Sequence, residues 1–201
     1  MTRVLPCGDR ALLVEVDDVH GAVRALRAAP PAGVVEVVPG AVTVLVSHAP
    51  GTDVAALTRA LLALQPLPMA DSAVSLVTIE VVYDGADLRD VADLTGLSAE
   101  EVVARHQAAS YEVAFCGFAP GFAYLRGLDP RLVVPRLDSP RTRVPAGSVA
   151  VADAWTAVYP RESPGGWRLL GRTDAVLWNL DRASPALLTP GTRVRFVERA
   201  P

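Results

Sequence analysis

The sequence predicts an α+β protein in two parts, a small α/β domain over residues 1–70 and a mostly β domain over 71–201. Three observations carry this. In the first third, strand-like alternation takes turns with helix-like periodicity. A segment with two prolines, Gln65-Pro66-Leu67-Pro68-Met69-Ala70-Asp71-Ser72, then interrupts both patterns and reads as a linker. Beyond Tyr111, short strand-like runs alternate with turns rich in Gly and Pro, the texture of a barrel or sandwich.

The elements follow in order. A strand is expected around Ala11–Val16, a helix around Val19–Ala28, and strands around Val34–Val38 and Val42–Val46 with a Pro39-Gly40 turn between them. A second helix begins near Asp53. Val54, Leu57, Leu61 and Leu64 recur there at three- and four-residue steps, behind a Thr52 or Asp53 cap, so one apolar stripe covers a sheet. With a further strand at Val74–Val82 the order becomes β-α-β-β-α-β, the ferredoxin-like arrangement; that last strand is equally able to open the next domain. Ser98 and Glu101 form a capping box, which opens a helix running to about Ala109.

Half the residues are hydrophobic (51%) and 20% are charged, enough apolar material for a core and too little charge for a disordered chain. Nineteen Lys and Arg against 22 Asp and Glu leave a net charge of −3, so no positive field draws the chain to nucleic acid or anionic lipid. Cys7 and Cys116 lack the spacing of a zinc site or a disulfide framework, which suits a reducing cytosol. The chain reaches Gly8-Asp9-Arg10 before any run of signal-peptide length, and no stretch approaches about 18 apolar residues, so a cytoplasmic, membrane-free protein is expected. GxxxxGK(S/T), HExxH, CxxC and GxSxG patterns are all missing, so a nucleotide or a nucleophile has to come from another chain.

Four features could carry chemistry. In Gly117-Phe118-Ala119-Pro120-Gly121-Phe122-Ala123-Tyr124-Leu125, glycines permit unusual backbone and aromatics supply stacking surface; the loop either binds a ligand or plugs the end of a barrel. Ser139-Pro140-Arg141-Thr142-Arg143-Val144-Pro145-Ala146-Gly147-Ser148 holds arginine forks suited to a carboxylate or phosphate, or is a solvated turn. In Tyr159–Trp167 the Gly165-Gly166 pair either offers backbone N–H groups to an anion or makes a hairpin. His106 lies on the apolar face of its helix with Val102 and Val103, a position that favours a hydrogen-bonded core residue over a proton carrier.

Taken together, GFAPGFAYL at 117–125, PRLDSPRTRVPAGSVAVA at 135–152, YPRESPGGWRLLGRT at 159–173 and LLTPGTRVRF at 187–196 resemble one family. It is the allophanate hydrolase subunit 1 family, shared by the B-type subunit of bacterial 5-oxoprolinase, part of urea carboxylase and a sporulation-kinase inhibitor. The first half resembles it more loosely, through Gly8-Asp9-Arg10 and the helix carrying His106.

The resemblance implies a cyclophilin-like β-barrel as the second domain. It implies a subunit of an ATP-dependent amide hydrolase, opening the lactam of 5-oxoproline to give glutamate, inactive without a subunit 2 relative and a lactam-utilisation subunit. ATP is then used by the complex, and no metal is expected. Within that picture Tyr124, Arg143, Ser148 and Arg172, the backbone of Gly165 and Gly166, and the loop residues Phe118, Pro120 and Gly121 line a substrate pocket shared with subunit 2. His106 borders it, and His106 and Tyr124 are the candidate catalytic residues. The alternatives are a subunit serving urea or allophanate metabolism, a histidine-kinase-binding module using an apolar patch around Phe118, Phe122 and Trp167, and a purely structural subunit.

Overall fold

The computed structural model describes residues 2–68 and 76–200, and the chain divides into two compact units, Met1–Ala73 and Val74–Pro201. The boundary expected near residue 70, and the end of the proline-bearing segment before it, lie outside the described residues.

The first unit contains strands β1 (Arg3–Pro6) and β2 (Ala11–Glu15), helix α1 (Val19–Ala28), strands β3 (Val34–Pro39) and β4 (Thr43–His48), and helix α2 (Val54–Leu62). Its four strands form an antiparallel sheet in the order β1-β2-β4-β3. Alternation in the sequence sets which face is buried: Leu12, Val14, Val44 and Val46 turn toward Ala22, Val23 and Leu26 of α1 and Leu57 and Leu61 of α2. Each helix starts on an aspartate that accepts from a backbone N–H, Asp18 from Gly21 at 2.8 Å and Asp53 from Ala56 at 2.9 Å.

The sheet differs from the ferredoxin-like order expected of it. Its fourth strand is β1, joined to β2 by a hairpin, and not a strand following α2. The strand that the pattern placed there, β5 (Leu76–Val81), belongs to the second unit, where it pairs in parallel with β13 (Arg193–Glu198). A four-residue loop closes the β1–β2 pairing at small entropic cost, so the open edge of β2 is filled locally. Apolar alternation in β5 serves either sheet equally well.

After β5 the second unit runs through α3 (Leu88–Thr95), α4 (Ala99–Ala108), β6 (Tyr111–Cys116), β7 (Ala123–Arg126), a 3-10 turn (Pro130–Leu132), β8 (Arg141–Val144), β9 (Ser148–Ala152), β10 (Trp155–Val158), β11 (Ser163–Gly165), β12 (Arg168–Arg172) and β13. Seven strands make one sheet in the order β12-β9-β10-β7-β6-β13-β5. Its two edges meet where Val82 and Arg172 exchange both backbone hydrogen bonds at 2.9 Å, so the sheet is a nearly closed barrel. Strands β8 and β11 form a separate two-stranded ribbon. Helix α4 opens on the capping box read from the sequence: Glu101 N–H donates to Ser98 Oγ at 3.2 Å and Ser98 N–H to Glu101 Oε2 at 2.8 Å.

Both faces of the barrel sheet are buried. One carries Ile79, Val113, Leu125, Val151, Leu170 and Phe196 against Val91 of α3 and Val102 of α4. The other carries Phe122, Ala150, Ala157, Tyr159, Trp167 and Leu169. No described helix is long and apolar enough to cross a membrane.

Candidate functional site

The loop between β6 and β7 is built from two tight turns in succession. Phe118 has φ +67°, and Ala119 N–H donates to Gly117 O at 2.8 Å across it, the positive-φ form of a γ-turn. That conformation is strained for a residue with a side chain, and such strain concentrates at working sites. Phe122 N–H then donates to Ala119 O at 3.0 Å, with Pro120 and Gly121 (φ +82°) at the two central positions of a type II turn. The outcome is a Phe118 ring 60% exposed, held edge-on to Phe122 at 5.1 Å between centroids.

Beneath it, the second face of the sheet carries an aromatic cluster. Phe122 makes T-shaped contacts with Tyr124, Tyr159 and Trp167 at 5.1, 5.2 and 5.7 Å, and Tyr124 stacks on Phe115 at 4.3 Å. The Tyr159 hydroxyl lies over Gly165, where a Cβ would come closer to it than real side-chain contacts allow. Burial raises the pKa of Tyr159, while a hydrogen bond from the Trp167 backbone N–H and the charges of Arg136 and Arg141 oppose the rise. Burial also raises the pKa of Tyr124, again against Arg136. Arg141 donates through Nη2 to Asp87, a carboxylate 3% exposed whose other oxygen accepts from Leu169 N–H at 2.7 Å.

His106 is elsewhere. It is fully buried, with Nε2 3.0 Å from Thr156 Oγ1 and Nδ1 2.8 Å from the Tyr83 hydroxyl. Thr156 spends its own proton on Ala150 O at 3.0 Å, so Nε2 carries the hydrogen and Nδ1 accepts from Tyr83. Burial pushes the His106 pKa down to about 3, leaving the ring neutral. Thr156 pairs with Leu125 and Val151, so His106 works on the face of the sheet that those residues occupy. Tyr124, one residue before Leu125, points to the other face. The two candidate catalytic residues therefore lie on opposite faces of the sheet.

The remaining candidates divide. Gly121, behind Pro120 in the turn, faces Leu177 and Trp178, whereas Phe118 and Tyr124 reach Gly165 through Phe122 and Tyr159 of the aromatic cluster. Gly166 lies beside them; its N-terminal neighbour needs to be glycine, whereas a Cβ on Gly166 meets only ordinary contacts from 3.6 Å. Ser148 is buried, with its hydroxyl turned back to Pro145 O at 2.8 Å. Arg143 and Arg172 form exposed ion pairs with Glu162 (3.3 Å) and Asp84 (2.8 Å). Tyr159, Arg136 and Asp87 were not singled out from the sequence, although the first two lie in the motifs it highlighted; Arg141 was read only as one of the two arginine forks of its loop. Among the described residues, no group of three or more His, Cys, Asp or Glu is placed to hold a metal.

The family described as the carboxyltransferase domain, subdomain C and D, matches residues 2–188 of the chain. The chain belongs to this family. Among its carboxyltransferase C and D relatives, the B-type subunit of the 5-oxoprolinase of Escherichia coli O157:H7 is 48% identical over 124 residues, 60% of this chain and 57% of that protein. The corresponding 5-oxoprolinase subunit of Bacillus subtilis (strain 168) is 45% identical over 125 residues, 61% of this chain and 52% of that protein. The matches thus span little more than half the length of these relatives. The crystal structure of TTHA0988 aligns with a TM-score of 0.81 at 38% identity, covering 96% of this chain and 40% of that one. The urea amidolyase of K. lactis aligns with a TM-score of 0.77 over 99% of this chain and 15% of that one; at 21% identity this shows the fold alone.

Proposed function

We propose that this chain is the B-type subunit of an ATP-dependent 5-oxoprolinase, a cytoplasmic complex that opens the lactam of 5-oxoproline to give glutamate. The identity of 48% to a 5-oxoprolinase subunit of that type, over a segment of 124 residues, is the observation that carries this reading. The barrel is of the cyclophilin-like kind, and the partners are a subunit 2 relative and a lactam-utilisation subunit.

A lactam is a stable amide, and ATP held by the partner subunits supplies phosphoryl activation of its carbonyl oxygen. The chain carries no GxxxxGK(S/T) loop, so its own contribution is binding and orientation. Phe118, held out by its strained turn, offers an aromatic surface that excludes water from a small ring, and Tyr124 and Tyr159 add phenol hydroxyls beside it. His106 holds α4 to the barrel through Thr156 and takes no part in proton transfer.

The test is glutamate release from 5-oxoproline and ATP by the co-purified subunits, with this chain included or omitted. Release that depends on the chain supports the reading. An assembled, soluble complex that hydrolyses no 5-oxoproline rejects it.

A further inference from the structure

A buried donor that the protein's own groups leave without an acceptor is suited to an anion. Arg141 uses Nη2 on Asp87, but its Nη1 is buried with no hydrogen-bond partner among the described residues. A guanidinium N–H left that way is costly unless a ligand accepts from it.

Contacts along the β8–β11 ribbon show what lies beside Arg141. Arg141 lies opposite Gly165 in the β8–β11 ribbon, and Gly165 is the residue over which the Tyr159 hydroxyl sits. Leu137 N–H donates to Gly166 O at 2.7 Å, and Arg168 Nε donates to Pro135 O at 3.0 Å, so the segment carrying Arg136 runs along the same ribbon. Arg136 is exposed and has no acceptor among the described residues, whereas Arg143, Arg168 and Arg172 each have a carboxylate. At both Tyr124 and Tyr159, burial raises the pKa and the charge of Arg136 opposes the rise. Two guanidinium groups against the single buried carboxylate of Asp87 leave a positive excess, flanked by two phenol donors and an aromatic floor.

We propose that Arg136 and the free Nη1 of Arg141, with the hydroxyls of Tyr124 and Tyr159, bind the carboxylate of a small cyclic amide. Guanidinium forks suit a planar carboxylate, and Phe118 and Phe122 cover the ring that bears it. The assignment deepens the proposed function and rests on it: the lactam of 5-oxoproline carries such a carboxylate next to its ring nitrogen.

The experiment titrates 5-oxoproline into the full chain, and separately 2-pyrrolidinone, the same lactam without a carboxylate, while backbone amide NMR shifts are followed. The expected result is saturable movement of the Gly165, Gly166 and Trp167 amides by 5-oxoproline, at least about tenfold weaker binding of 2-pyrrolidinone, and a similar loss of 5-oxoproline affinity in Arg136→Gln. Arg136 is exposed, so this variant keeps the fold, which its thermal midpoint verifies. Unmoved amides, equal affinity for the two lactams, or unchanged 5-oxoproline binding by Arg136→Gln each overturn the site. Acetate moving the same amides while the reconstituted complex releases no glutamate keeps the carboxylate site and rejects the oxoprolinase reading. Glutamate release by an Arg136→Gln complex at an unchanged KM rejects the site and keeps that reading.

Discussion

Replacing His106 by Gln should flatten the dependence of stability on pH below neutrality. The ring is buried and neutral, with a pKa near 3 in the folded chain against 6.5 when exposed. Above pH 6.5 neither state binds the proton and the folded state is at full advantage. As the pH falls from 6.5 toward 3 only the unfolded chain takes the proton up, so stability is lost across that window. At pH 5 the loss from this one group is about 2 kcal/mol, since each unit of the 1.5-unit gap below 6.5 is worth about 1.36 kcal/mol. Urea titrations at pH 7.5, 6.0 and 5.0 on parent and His106→Gln measure it. The variant starts lower at pH 7.5, because Gln cannot serve both Tyr83 and Thr156 and one buried group is left unpaired, at about 1–3 kcal/mol. It then loses about 2 kcal/mol less than the parent on going to pH 5. Parallel pH profiles for the two proteins would show that His106 is not held neutral by the core, and the structural role given to it would fail.

Four further substitutions test the packing and capping of the second unit. Gly165→Ala places a methyl group against the Tyr159 hydroxyl and should cost about 1–3 kcal/mol in urea unfolding, while Gly166→Ala, with only ordinary contacts, should stay within about 0.5 kcal/mol. Asp87→Ala strands Leu169 N–H and Arg141 together, with an expected loss of about 3–5 kcal/mol read from the urea midpoint. Ser98→Ala removes half of the capping box of α4 and should lower stability by about 1 kcal/mol, without changing the denaturant slope.

Much of the fold was legible because local chemistry and tertiary packing agree. Helix α1 and the caps of α2 and α4 appear where Asp18, Asp53 and Ser98 can accept backbone hydrogens. Two elements were silent. Strand β1 is four residues long, half exposed and ends in Pro6, so it lacks the alternation that a longer strand shows. Helix α3 is only eight residues long, so Leu88, Val91 and Ala92 show a single turn of the three- and four-residue spacing, too little to stand out. The destination of β5 depends on pairing with β13, more than a hundred residues later, which no local pattern encodes.

At the site the motifs were visible but the choice within them was not. Arg136, Arg141 and Arg143 look alike in sequence, and only the ribbon geometry separates Arg143, paired in solvent, from Arg141, whose Nη1 is buried. His106 stood out as a titratable group on an apolar helix face, whereas Tyr124 became a candidate through the resemblance of its loop. Which face of the sheet each occupies is set by the pairing of Thr156 with Leu125, a fact of register.

On the proposed function, the aromatic face around Tyr124, and not the buried His106, carries the chain's part in the reaction. The measurement is kcat/KM for 5-oxoproline in the reconstituted complex, with Tyr124→Ala and His106→Gln compared at pH 7.5, each checked for assembly. The account predicts a loss of at least about tenfold for Tyr124→Ala and a value within about twofold of the parent for His106→Gln. The reverse order, with turnover lost in an assembled His106→Gln complex and kept in Tyr124→Ala, would contradict it.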